Sequence, residues 1–150
     1  MDLILWRHAD AQDGSPDLAR ELTSKGHRQA ADMAKWLKLH LPSENEILCS
    51  PAARARQTAQ ALTHEFKTVE EIGPGASYEA ILSAAGWPNR KGAVLVVGHQ
   101  PTLGQTAAWL LSGEVAEWGI KKGAVWWLTN RVRGERRETV LRAAISPDLL

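Results

Sequence analysis

Apolar and polar positions alternate between two kinds of segment along the chain. Residues 2–7 (DLILWR), 46–49 (EILC) and 93–98 (AVLVVG) are short, nearly continuous apolar runs, the mark of strands buried on both faces. Between them, apolar residues recur at helical spacing. Thr23 reads as an N-cap for a helix over about 24–40, with Ala30, Ala34, Leu37 and Leu41 forming its core stripe. Pro42 stops that helix. Ser50-Pro51 reads as a cap followed by proline at the first helical position; the helix it opens runs to about residue 66, with Ala55, Ala59, Leu62 and Phe66 facing inward. A short strand near 68–71, a break at 73–75 (GPG) and a short helix near 77–85 follow. The run 93–98 leads into a helix over about 101–111 with Leu103, Ala107 and Leu110 on one stripe. Residues 124–129 and 138–145 read as two more strands, and the glycine in RVRGER between them makes a hairpin.

Strands alternating with helices predict an α/β fold with a mostly parallel sheet, made partly antiparallel by the C-terminal hairpin. The 150 residues fit a single domain, 1–150, and no stretch reads as a linker. Charge narrows the function. Eighteen basic against seventeen acidic residues leave a net charge of +1, which gives no bulk attraction to nucleic acid or to a membrane surface. The single cysteine, Cys49, cannot form an intrachain disulfide and points to a reducing, cytoplasmic setting. No signal-peptide or membrane-spanning pattern is present, so a cytoplasmic protein is expected.

Open α/β sheets bind ligands beyond the carboxyl ends of their strands, and three polar groups fall there. Arg7-His8 ends the first strand, Ser50 to Arg54 follows the second, and Gly98-His99-Gln100-Pro101 follows the central one. Helical side chains lean toward the N-terminus, so Arg54 reaches back over the sheet edge. Two guanidinium groups, two imidazoles and two helix N-termini make an anion site, and the planar arginine forks favour phosphate. A phosphate binder has less need of two imidazoles. One of them, neutral, can attack phosphorus, and the other can donate to the transferring phosphoryl oxygens. Gln100 and Thr102 either touch substrate or cap the next helix. Cys49 precedes Arg54 as C-x4-R, one residue short of the C-x5-R of cysteine phosphatases, and reads as a buried thiol. A metal site from His8, Asp10 and His99 lacks the helical histidine pair or cysteine cluster that would support it, and no cofactor motif is present.

Four segments, WRHADA (6–11), LTSKGHRQA (22–30), CSPAARARQTA (49–59) and VVGHQPTLG (96–104), resemble the histidine phosphatase (phosphoglycerate mutase-like) superfamily, and within it the short bacterial SixA-type phosphohistidine phosphatases. The resemblance implies a three-layer α/β sandwich with helices on both faces of the sheet. It implies a metal-independent phosphatase in which His8 becomes phosphorylated and Arg7, Arg54 and His99 hold the phosphoryl group; Gln100 is a further candidate phosphate contact. The usual RHG reads RHA here, and Ala9 would resist a left-handed backbone that glycine accepts. No aligned motif fixes the proton donor; Asp10 and Glu79 are the two candidates. The expected substrate is a phosphohistidine on a protein such as a phosphotransfer domain. A small phosphorylated metabolite, or a module that recognises phosphate without turnover, are the alternatives.

Overall fold

The side chains of residues 3–6 are wholly buried, and the period of two along a strand divides them. Leu3 and Leu5 enter one core layer, Ile4 and Trp6 the other. A strand can be apolar throughout only when both faces are covered, and the computed structural model, which describes all 150 residues, shows how they are covered here. Strands β1 (Asp2–Arg7), β2 (Asn45–Cys49), β3 (Lys67–Thr68), β4 (Ala93–Gly98), β5 (Val125–Arg133) and β6 (Arg136–Ile145) form one sheet in the order β3-β2-β4-β1-β5-β6. β1 to β4 run parallel, while β5 and β6 are antiparallel additions. Helices α1 (Ser24–His40) and α2 (Ala53–Gln60) cover one face through Met33, Ala34, Leu37, Ala55 and Ala59. Helices α3 (Tyr78–Ala85) and α4 (Thr102–Ser112) cover the other through Ile81, Ala85, Leu103 and Ala107. This is the three-layer, mostly parallel α/β sandwich expected.

Local chemistry explains where elements begin and end. Thr23 caps α1, its hydroxyl oxygen accepting from the Gly26 N–H at 3.0 Å. Ser77 caps α3 in the same way, and Gly86 closes that helix at φ 68°, a conformation that favours glycine.

Two expectations need correction. The second helix ends at Gln60 rather than near residue 66. Just beyond it the Thr63 hydroxyl accepts from the Glu65 N–H at 3.0 Å, a local turn that competes with helix. Leu62 and Phe66 still pack on the core, from outside a helix. Nor is Ser50 the cap of α2. The helix begins at Ala53 behind Ala52, with no side-chain cap, and the Ser50 hydroxyl is used elsewhere. The C-terminal strands are longer than their apolar runs, because the hairpin turn takes only Gly134 and Glu135.

Candidate active site

β2, β4 and β1 are neighbours in the sheet and parallel, so their carboxyl ends share one edge. The chain leaving each strand stays tied to it. The His8 N–H bonds to the Gly98 carbonyl at 3.0 Å, and the Ser50 N–H to the Val97 carbonyl at 3.0 Å. This sets Arg7-His8, Ser50 and His99 side by side, with Arg54 arriving from the first turn of α2. The His8 and His99 rings lie 5.1 Å apart between centroids. His8, His99 and Arg54 are buried, with residue exposures of 8 %, 4 % and 5 %.

The hydrogen bonds define what each group can still do. His8 Nδ1 lies 2.7 Å from the Ala9 carbonyl. A carbonyl only accepts, so Nδ1 carries the proton and the lone pair is on Nε2. Burial, with help from the Arg54, Arg7 and Arg20 charges, lowers the His8 pKa to about 4. The ring is therefore neutral at pH 7. His99 is lowered further, to about 3, first by burial and then by the neighbouring His8 and arginine charges. Its Nε2 lies 2.7 Å from the Ser50 hydroxyl, which also accepts from the Ala52 N–H at 3.2 Å.

Four buried side-chain polar atoms in the whole molecule have no partner, and three of them belong to this cluster: Arg7 Nε, Arg54 Nε and His99 Nδ1. Buried polar groups are almost always paired. Three orphans gathered at one sheet edge are unmet binding capacity. Outer nitrogens of both arginines are engaged elsewhere. Arg7 Nη1 donates to the Ile120 carbonyl at 2.8 Å, while Arg54 donates from Nη1 to the Asp17 carbonyl at 2.9 Å and from Nη2 to its carboxylate at 3.1 Å. These bonds fix the guanidinium planes without using Nε. Such a cluster is suited to a phosphoryl-sized anion beside a neutral nucleophilic imidazole.

The other sequence candidates fall differently. Ala9 has no left-handed strain, because no residue other than glycine has positive φ; its N–H bonds to Thr58 Oγ1 at 3.1 Å. Asp10, although two residues from His8, turns its carboxylate to the Thr23 hydroxyl (2.7 Å) and to Lys122 Nζ (2.9 Å). Those donors hold its pKa below the usual aspartate value, so it is a poor proton donor, and it does not join His8 and His99 as a ligand set. Glu79 is exposed at the start of α3, with no hydrogen bond to the cluster. The Gln100 amide is engaged by other groups: it donates to the Trp118 carbonyl at 2.8 Å and accepts from the Gly104 N–H at 2.7 Å. Thr102 bonds the Ala76 carbonyl instead of facing the site. The Cys49 thiol is buried, and burial pushes its pKa up to about 12. Sequence reasoning missed Asp17, Arg20 and the Ser50 hydroxyl. Asp17 holds both Arg54 and, at 3.1 Å, Arg20.

Known proteins carry the same architecture. The profile of the histidine phosphatase superfamily (branch 1) matches residues 3–74. Phosphohistidine phosphatase SixA of Escherichia coli (strain K12) is 30% identical over 127 residues, 76% of this chain and 76% of that protein. A protein of Mycobacterium tuberculosis is 36% identical over 117 residues, 71% of this chain and 70% of its own. The chain belongs to the histidine phosphatase superfamily and is a metal-independent phosphatase. Within that class it is SixA-like: the solved structure of the protein histidine phosphatase SixA complexed with tungstate superposes with a TM-score of 0.82 at 25% identity, covering 99% of both chains.

Proposed function

We propose that the protein hydrolyses phosphohistidine on a partner protein, such as a phosphotransfer domain, through a phosphorylated His8. The observation that carries this reading is the meeting of a neutral His8, its lone pair on Nε2, with three unpartnered buried donors. In the first step the Nε2 lone pair attacks phosphorus. The bond from phosphorus to the substrate imidazole breaks, and its electron pair stays on the leaving nitrogen. Arg7 Nε, Arg54 Nε and a protonated His99 Nδ1 donate to the phosphoryl oxygens as charge spreads over them. In the second step water attacks phosphorus, the bond to Nε2 breaks, and inorganic phosphate leaves with the remaining water proton going to solvent.

The choice of a nitrogen leaving group is supported by the carboxylates. Asp10 and Asp17 are both held ionised by their donors, and neither is a ready acid. An alkoxide leaving group needs a proton delivered as the bond breaks. A phosphohistidine already protonated on its other ring nitrogen departs as neutral imidazole and needs none. The reduced, buried Cys49 supports a cytoplasmic setting, and one continuous sheet supports a single catalytic domain over residues 1–150. No helix is long and apolar enough to cross a membrane.

Trapping with a labelled phosphohistidine protein tests this. Acid-labile, base-stable label is expected on His8 of the wild type. None is expected in His8→Ala, whose turnover falls about 10,000-fold or more, as when a nucleophile is deleted. Binding without phosphate release, full activity in His8→Ala, or turnover confined to small phosphoesters would each sink the proposal.

A further inference from the structure

Next to the cluster lies a cavity of about 380 Å³ lined by Arg7, Lys25, Gln29, Lys121, Lys122, Pro147 and Asp148. Apart from Pro147 its wall is polar. Arg7 belongs both to this wall and, through its unpartnered Nε, to the anion cluster, so the two sites adjoin. Four cations stand there against two carboxylates: Asp148, 3.4 Å from Lys121 Nζ, and Asp10, 2.9 Å from Lys122 Nζ. Lys25 is exposed and has no ion pair. The molecule as a whole carries only +1, so this excess is local.

The form of the cations says what they suit. The Lys121 and Lys122 side chains are 70% and 48% exposed, and Lys25 is exposed at the start of α1. A small, compact anion is gripped by fixed, desolvated donors such as those of Arg7 and Arg54. Ammonium groups on flexible, solvated stems instead meet an acidic surface, where attraction is shared among several charges and acts mainly on encounter. We propose that this cavity and its lysines dock carboxylate side chains of the phosphorylated protein, an acidic patch beside the phosphohistidine that His8 attacks. The inference rests on the phosphohistidine-protein reading and adds the surface chemistry of that partner.

The test is the double variant Lys25→Glu, Lys121→Glu, assayed on two substrates with the same P–N bond. One is a phosphotransfer domain of acidic surface phosphorylated with phosphoramidate; the other is phosphoimidazole, which has no protein surface. Neither substitution touches the reacting atoms. A glutamate in the first turn of α1 also suits the positive end of the helix better than Lys25 does, so loss of the fold is not expected; a thermal melt checks this.

The phosphoprotein KM is expected to rise about tenfold with kcat within about twofold, while kcat/KM for phosphoimidazole stays within about twofold. Raising the salt should reproduce the KM increase in the wild type and have little effect in the variant. An unchanged phosphoprotein KM overturns the inference and leaves the phosphohistidine reading standing. Equal losses on both substrates overturn it too, since the lysines would then serve the phosphoryl site itself. So does a small bisphosphate that the wild type prefers and whose KM rises alike, because the cavity would then take a second phosphate. A wild type inert toward both P–N substrates but active on p-nitrophenyl phosphate overturns the phosphohistidine reading and this inference with it.

Discussion

Arginine gathers at two ends of this molecule, and only one gathering has the geometry of a binding site. Arg7 and Arg54 stand at the carboxyl edge of β1, β2 and β4. Arg131, Arg133, Arg136 and Arg137 stand on the tip of the β5–β6 hairpin, which continues past Met1 at the opposite end of β1. The hairpin arginines are exposed. Arg131 and Arg133 share Glu138 at 2.5 and 3.8 Å, and contacts of that kind contribute little once solvent screens them. Arg7 and Arg54 are instead partly or wholly buried, locked by bonds from their outer nitrogens, and left with an inner nitrogen unpaired. Density of positive charge is thus a poor guide to a phosphate site. Fixed, desolvated and unspent donors are a good one.

The sharpest way to break this contrast is to remove one arginine from each end. Arg54→Ala is expected to lower kcat/KM about 100- to 1,000-fold, the usual loss for a donor aimed at developing charge in a dry site. Arg131→Ala is expected to stay within about twofold, since an exposed pair supplies no such donor. Steady-state kinetics on one substrate reads both. Comparable losses at the two ends would mean that overall charge, not buried geometry, drives turnover.

A second difference between the two ends is in proton binding. The site holds two imidazoles lowered to about 4 and about 3 by burial and neighbouring charge; the hairpin holds none. In the unfolded chain both histidines protonate near the ordinary value of about 6.5. Between that pH and the folded values, the unfolded state binds more protons, so stability rises with pH. The contribution is complete above about pH 6.5 and is lost as the pH falls toward 4 and 3, by a few kcal/mol for the pair. Urea unfolding at pH 7 and pH 4.5 is expected to show a large drop for the wild type and a smaller one for His8→Asn. An identical drop in both would mean that His8 titrates normally in the folded protein.

Much of this was legible in the sequence. The runs at 2–7 and 93–98 predict β1 and β4 because strands covered on both faces have no polar alternation to blur them. Thr23 marks the start of α1 because its cap is a local bond. The approach of Arg7, His8, Arg54 and His99 follows from parallel strands ending at one edge. What escaped was non-local. Arg54 finds Asp17 across 37 positions, in a segment broken by Gly14, Ser15 and Pro16 that shows no period. Asp10 lies beside His8 in the chain, yet its partners are Thr23 and Lys122, 13 and 112 positions away. Sequence proximity suggested a proton donor; the fold made a tether.

Ser50 is the clearest such case, and the loss expected on removing it is smaller than that for Arg54. Ser-Pro is a strong helix-start signature, and it hides a contact spanning 49 positions. The hydroxyl oxygen accepts from the Ala52 N–H and lies 2.7 Å from His99 Nε2, where the direction of the bond follows the imidazole tautomer. The tautomer in which the hydroxyl donates has the His99 proton on Nδ1, the buried nitrogen without a partner, where it can serve a phosphoryl oxygen. Ser50 is in this sense a positioning residue, acting through the tautomer of His99. Ser50→Ala is expected to lower kcat/KM about tenfold, the low end of losses from an orienting partner. Nitrogen-15 NMR of the imidazoles separates this from mere loosening of the fold: His99 should be protonated at Nδ1 in the wild type and shift toward Nε2 protonation in the variant. A tenfold loss with the tautomer unchanged would leave Ser50 a packing residue. The site would then owe its polarity to the arginines alone, the one property it shares with the hairpin.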